Sequence, residues 1–256
     1  MLAALAACFA LSGLAALVYQ TAWTREFALV FGTSELAVAT VIAAYMGGLA
    51  LGAALVERLL PRVARPVLAY ALLELGIGAA SVVLVPLLLL ASRAARAALF
   101  GGQDAPPSSE HGGLSLYFLA SAFVVLGIPA TLMGATLPLL ARHAVREDAQ
   151  VGRRIGLLYA SNTAGAVGGA LLAAYWMLPA LGLRGTVWAA AAINVLVFLI
   201  AAIIARGAPA ARSLGTPAPL APTDGVTRWV LPLMLASGAV TFFHEVLWSR
   251  MLSHLV

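Results

Sequence analysis

Seven long apolar stretches dominate this 256-residue chain. The hydrocarbon core of a bilayer is roughly 30 Å thick, and a helix of about 20 residues crosses it. Within that layer the backbone polar groups must bond inside their own segment, so each stretch is predicted to be an α-helix. The stretches are residues 2–23, 36–56, 67–91, 114–141, 155–178, 186–205 and 229–251. The predicted fold is an all-α, polytopic transmembrane bundle of about seven helices.

The charged residues are too few for a water-soluble domain of this size. They make up 10% of the chain, against 62% for the apolar residues, whereas soluble domains carry about 25% charged residues. All 15 basic residues are arginines, and they lie scattered in short loops without interleaved aromatic residues. This pattern is typical of membrane topology signals and not of a nucleic-acid surface. We therefore expect the chain to be embedded in a lipid bilayer and not to bind nucleic acid.

The arginines also predict an orientation. Ten of them fall in the loops after the second, fourth and sixth predicted helices, and five fall on the opposite side. Because positive loops stay in the cytoplasm, the amino terminus is predicted to be cytoplasmic.

A sequence motif occurs twice, at an offset of 225 residues. Its pattern is S-G-x5-[YH]-[QE]-x2-W-x-R. The first copy contains Ser12, Gly13, Tyr19, Gln20, Trp23 and Arg25, and the second contains Ser237, Gly238, His244, Glu245, Trp248 and Arg250. Internal repeats are common in transporter folds. The repeat predicts a six-helix unit (1–206), a proline-rich cytoplasmic linker (207–227) and a seventh helix (228–256) that begins a second unit. We therefore expect the chain to be part of a longer protein.

The motif has two interpretations. In the first, Ser and Gly allow close helix packing, while Trp23, Arg25, Trp248 and Arg250 anchor the helix ends at the membrane surface. In the second, the polar pairs line a cavity inside the bundle, together with two further intramembrane residues. The candidate cavity residues are Tyr19, Gln20, Glu74, Asn162, His244 and Glu245.

Three stretches of the sequence resemble a known family. They are SGLAALVYQTAWTREFALVFGTSELAVATVIAAYMGGLALGAALVERL (12–59), MGATLPLLARHAVRED (133–148) and GLLYASNTAGAVGGALLAAYWMLPALGLRG (156–185). They are similar to the membrane region of bacterial fused major-facilitator/spermidine-synthase-like proteins. The resemblance implies a multi-pass protein of the bacterial inner membrane and a link to polyamine chemistry. Members commonly carry an aminopropyltransferase-like domain with a G-G-G-[DE]-G loop, which this chain lacks, so no catalytic residue is carried over.

Glu74 and the helix-packing residues complete the set of candidates. Glu74 lies inside the third predicted helix, where a carboxylate is costly unless it is paired, protonated or in contact with water. It is interpreted either as a proton or cation site or as a structural acceptor for another helix. Asn162 and Asn194 are expected to form interhelical hydrogen bonds. The predicted close contacts are at Gly48, Gly52, Ser161, Gly165 and Gly169, and the predicted kinks at Pro129 and Pro138.

No catalytic, metal-binding or cofactor-binding motif stands out in the sequence, and no enzymatic activity is expected in this chain. Three functions remain open. The chain is a membrane module that anchors or scaffolds a spermidine-synthase-like protein, or an accessory structural subunit of a larger membrane complex. The third alternative is a transporter of a small polar or cationic solute.

Overall fold

The computed structural model describes residues 1–31, 35–100, 112–144, 151–207 and 227–253, and these residues are almost entirely helical. The helices are α1 (Leu2–Phe31), α2 (Glu35–Leu59), α3 (Pro66–Ala79), α4 (Val85–Phe100), α5 (Gly112–Gly134), α6 (Thr136–Ala144), α7 (Val151–Leu172), α8 (Leu178–Gly207) and α9 (Thr227–Ser253). No strand occurs in these ranges. The all-α prediction is confirmed.

Several of these helices join into longer rods. A π-helical turn, Ala80–Leu84, connects α3 to α4, and a second one, Ala173–Met177, connects α7 to α8. Only Ala135 separates α5 from α6. The chain bends inside α8 at Gly182, whose φ of 66° lies in the left-handed region that favours glycine. Local departures from α-helical geometry thus divide the rods without interrupting the apolar sequence.

Five segments of the described residues are long and apolar enough to cross a membrane. They are Leu2–Ala28, Ala39–Arg62, Pro66–Ala98, Leu119–Ala144 and Gly152–Gly207. The last has 56 residues and contains two helices that meet at the Gly182 bend, so the segments correspond to six helices. The structure therefore supports a multi-pass membrane protein with fewer long apolar helices than the seven predicted. The seventh predicted stretch is helical as α9, which is not among these five segments.

Helix α1 is the central element of the bundle. It packs along α7 and α8, while α2 packs along α5 and α3 packs along α8. Buried residues of α1 between Leu5 and Phe9 belong to one apolar cluster with parts of α3, α6 and α8. Buried residues of α1 between Ala15 and Phe27 belong to another, with parts of α2 and α5. In contrast, the main contact of α9 within the described residues is a short one with α2.

Glycines allow the closest helix contacts. A Cβ on Gly165 or Gly169 of α7 would approach a carbonyl oxygen of α1 within 3.0 Å, which is nearer than Cβ atoms are found. Gly52 of α2 meets the Thr131 carbonyl oxygen of α5 in the same way. Small residues at these positions bring the helix backbones into van der Waals contact, which is the main attraction between helices in lipid.

Candidate functional site

Glu74 is the central residue of a buried polar cluster between α1, α3 and α8. Its side chain is fully buried, with 0% of its surface exposed. Asn194 of α8 donates a hydrogen bond from Nδ2 to Glu74 Oε2 at 2.7 Å. The hydroxyl of Tyr19 on α1 in turn donates to Asn194 Oδ1 at 2.9 Å. One amide side chain therefore connects three helices through two buried bonds.

Two further side chains approach the same carboxyl group. Tyr70 lies one helical turn before Glu74 on α3, and Ser12 comes from α1; the hydroxyl groups of both lie near the carboxyl group as potential hydrogen-bond donors. Yet among the described residues neither Glu74 Oε1 nor Tyr70 Oη has a partner in hydrogen-bond geometry. Tyr70 is as buried as Glu74, with 0% exposure. Glu74 Oε1 and Tyr70 Oη are thus buried near each other without a well-aligned hydrogen bond.

The cluster lies where the two apolar clusters of the bundle meet. Tyr19 and Ile77 belong to one of them, and Tyr70 belongs to the other. The Tyr19 ring also stacks on Trp23, with ring centroids 5.1 Å apart and planes inclined by 14°. One turn beyond Ile77, Ser81 of the π-helical turn donates to the Ile77 carbonyl oxygen at 2.8 Å. The polar side chains therefore lie between the two apolar clusters.

The predicted cavity residues do not form one group. Tyr19 and Glu74 come together through Asn194, while Asn162 of α7 donates to the Phe9 carbonyl oxygen of α1 at 3.0 Å. Both asparagines therefore form the interhelical bonds expected of them. Gln20 is partly buried beside Tyr19. The second-copy pair, His244 and Glu245, lies on α9, and the main helix contacts of α3 in the described residues are with other helices.

The polar pair on α9 is much less enclosed than its counterpart on α1. His244 is exposed, with Nδ1 2.8 Å from the Val240 carbonyl oxygen, and its ring meets Trp248 edge to face. Glu245 is partly exposed. The structure therefore places the two copies of the motif in different surroundings.

The predicted anchors also differ between the copies. Trp23 is 1% exposed and lies inside the bundle, whereas Trp248 is 62% exposed. Arg25 is exposed, and the side chain of Arg250 lies outside the described residues. The packing of Trp23 on Tyr19 places its ring inside the helix bundle. The anchoring role of all four residues stays a prediction.

The four predicted packing glycines lie at helix contacts. Gly48 and Gly52 of α2 face Ala130 and Thr131 of α5, and Gly165 and Gly169 of α7 face α1. Ser161 is partly buried on α7, and its hydroxyl donates to the Leu157 carbonyl oxygen of its own helix at 2.8 Å.

The two prolines lie on either side of the break between α5 and α6. Pro129 is inside α5, and Pro138 is in the first turn of α6. The interruption itself falls at Ala135, three residues before Pro138. A proline cannot donate a backbone bond, and its ring clashes with the carbonyl group four residues earlier. Pro138 therefore explains why the helix is interrupted at this point.

Two members of the buried cluster were not found from the sequence. Tyr70 precedes Glu74 by four residues, which places both side chains on one helix face, and this spacing could have linked them. Nothing in the sequence indicates that Ser12 would approach α3. Within the described residues, no group of three or more His, Cys, Asp or Glu side chains is placed to hold a metal ion.

Comparisons with known proteins identify no relative. No family model matches the chain, and neither a curated protein nor a solved structure matches it. The linker predicted at 207–227 lies almost wholly outside the described residues, apart from the helix ends at Gly207 and Thr227.

Proposed function

We propose that this chain is a membrane module that anchors or scaffolds a spermidine-synthase-like protein and performs no catalysis of its own. In this proposal its amino terminus lies in the cytoplasm and the bundle resides in a bacterial inner membrane. The resemblance of residues 12–59, 133–148 and 156–185 to the membrane region of that family supports the assignment.

The observation that carries the proposal is the bridging position of Asn194. Its amide ties Tyr19 of α1 to Glu74 of α3, so all three polar side chains serve to hold helices together. Asn162 does the same between α7 and α1. A solute pathway needs polar groups that reach water. Glu74 is fully buried among packed helices, which removes the strongest support for the transporter alternative.

Helix α9 supports a role in association. Apolar residues on several sides of it are exposed, among them Leu233, Met234 and Phe243. Lipid can cover such residues, but a lipid-facing position is costly for polar side chains such as His244 and Glu245. A neighbouring protein segment would give that pair hydrogen-bond partners. This observation also favours the second candidate function, an accessory subunit of a larger membrane complex.

The proposal can be tested with a photo-crosslinking amino acid at Phe243, which is 65% exposed on α9. We expect crosslinks in native membranes either to a segment of the same, longer polypeptide or to a separate protein. Mass spectrometry of the products distinguishes these results. A polypeptide far heavier than 26.3 kDa that carries an aminopropyltransferase-like domain supports the anchoring function. A crosslinked separate membrane protein supports the accessory-subunit function.

Two control positions make the result interpretable. Phe27 is fully buried and should give no intermolecular product, whereas Trp176 is 57% exposed on a different part of the surface. If Phe243 and Trp176 capture the same proteins with equal yield, the contact at α9 is non-specific. That result, or a lone 26.3 kDa monomer without companions, contradicts both candidate functions.

A further inference from the structure

We propose that Glu74 is a proton-binding site inside the bundle and carries its proton on Oε1 as a neutral carboxylic acid at neutral pH. The inference goes beyond the scaffold function, because a bundle can anchor other domains whether or not it binds a proton. It rests on the hydrogen-bond geometry of the cluster around Glu74.

The first step concerns the atom left available. Glu74 Oε2 accepts the hydrogen bond from Asn194, whose own oxygen is occupied by the Tyr19 hydroxyl. Oε1 remains without a partner among the described residues, although less than 1 Å² of it is accessible. An ionised carboxylate accepts hydrogen bonds at both oxygens. Here the one well-aligned donor is the neutral amide of Asn194, and Oε1 is the atom available to hold a proton.

The second step concerns Tyr70. Its hydroxyl oxygen is likewise buried and unpartnered within the described part of the chain. Tyr70 lies close to the carboxyl group, as does Ser12. A proton on Oε1 turns that oxygen into a donor, and Tyr70 Oη is an acceptor as well as a donor. With a small rotation of the two side chains, a protonated Oε1 can donate to Tyr70 Oη, so the neutral acid can be hydrogen-bonded within this cluster.

The third step concerns charge. The titratable groups near Glu74 are Cys8 and Tyr19 of α1 and Tyr70 of α3, and each of them is neutral or negative. Helix α8 contributes the uncharged Asn194. In the described residues, no arginine or histidine from α5, α6 or the π-helical turn acts on the carboxyl group. A buried carboxylate without a cation is strongly disfavoured, whereas the neutral acid fits this site.

Infrared spectroscopy of the protein reconstituted in lipid vesicles tests the proposal. Glutamate labelled with ¹³C at the side-chain carboxyl identifies the bands of glutamate carboxyl groups. At neutral pH we expect a labelled C=O stretching band of a protonated acid that shifts in heavy water and is absent from Glu74→Gln. The band should remain in Glu57→Gln, since Glu57 is exposed on α2. In Tyr70→Phe it should move to higher frequency, because the acid loses its hydrogen-bond acceptor.

The opposite result is equally clear. If Glu74→Gln removes a carboxylate band and leaves the protonated-acid region unchanged, Glu74 is ionised and the proposal is wrong. Should Glu74→Gln fail to fold, the labelled wild-type protein and Tyr70→Phe still decide the question. Absence of any protonated-acid band from the labelled wild type at neutral pH overturns the proposal without use of the variant.

Discussion

Helices α1 and α9 carry the same motif but have opposite environments. On α1, Tyr19 and Trp23 are buried almost completely, while on α9 the equivalent His244 and Trp248 are exposed. The motif alone therefore does not determine whether its helix is buried in the bundle. The neighbouring helices determine it.

The neighbours of α1 explain this difference. A Cβ on Gly13 would lie against the backbone of Asn162 on α7, whereas a Cβ on the equivalent Gly238 would meet nothing within 4 Å. Asn194 of α8 adds a hydrogen bond to Tyr19. Glycine and polar residues in the motif thus gain structural importance only when a matching helix approaches them. Three pairs of substitutions at equivalent positions test this conclusion.

The largest difference is expected for the tryptophans. Trp23→Ala should lower the free energy of unfolding by about 3–5 kcal/mol, because it leaves a cavity in the packed core. Trp248→Ala should change it by less than about 0.5 kcal/mol, since the ring is largely exposed. Denaturant unfolding in detergent, followed by circular dichroism, measures both. Equal losses for the two variants would show that α9 is packed as tightly as α1, contrary to the structure.

The sequence predicts the helices of this bundle but not the difference in burial between α1 and α9. The length of the apolar stretches predicts helices, and the small residues predict close contacts at Gly48, Gly52, Gly165 and Gly169, where the structure has them. Both patterns can be recognised within a single segment of the chain. The position of Trp23 near the end of an apolar stretch is typical of an interface anchor, and the sequence does not show that its ring is buried. Its burial depends on neighbouring helices, and helix pairing is not encoded in the residues of one segment.

The same limit applies to the candidate site. A glutamate inside an apolar helix needs a partner, so Glu74 could be singled out from the sequence, and the same reasoning gave Asn194 an interhelical bond. The sequence does not predict that Glu74, Asn194 and Tyr19 meet. Glu74 and Asn194 are 120 positions apart in the chain, and Tyr19 and Asn194 are 175 positions apart. The predicted cavity also includes His244 and Glu245, which lie on α9 and not on the three helices that form the buried cluster.

A smaller difference is expected for the glycines of the motif. Gly13→Leu should destabilise the bundle by about 1–3 kcal/mol or more, since the added side chain overlaps the backbone of α7 and forces the helices apart. Gly238→Leu should be neutral or stabilising by up to about 1 kcal/mol, because leucine favours helix formation more than glycine does. Thermal unfolding in detergent provides the comparison.

A control substitution on α7 shows whether the effect of Gly13→Leu comes from the contact between α1 and α7. Gly168→Leu is a matched control on α7, because a Cβ there meets nothing within 4 Å, unlike one on Gly165 or Gly169 of the same helix. If Gly168→Leu is as harmful as Gly13→Leu, the damage comes from substitution in a transmembrane helix in general. The proposed pairing of α1 with α7 would then lose its explanation for the close contact.

The smallest difference is expected for the polar residues. Tyr19→Phe removes the hydroxyl that donates to Asn194 and leaves a buried oxygen unsatisfied, at an expected cost of about 1 kcal/mol. His244→Phe should have a smaller effect in the isolated chain, since the ring is exposed and its bond to Val240 lies within one helix turn. Tyr175→Phe, at a position that is 80% exposed, provides the baseline for loss of a tyrosine hydroxyl.

The histidine variant gives this pair a second readout in native membranes. If another protein segment covers α9 there, His244→Phe should weaken crosslinking from Phe243 while it leaves the stability of the purified chain unchanged. A loss of stability as large as that of Tyr19→Phe would instead mean that His244 bonds within the bundle. In that case Tyr19 and His244 would have equivalent roles, and the difference between α1 and α9 would not extend to the polar positions of the motif.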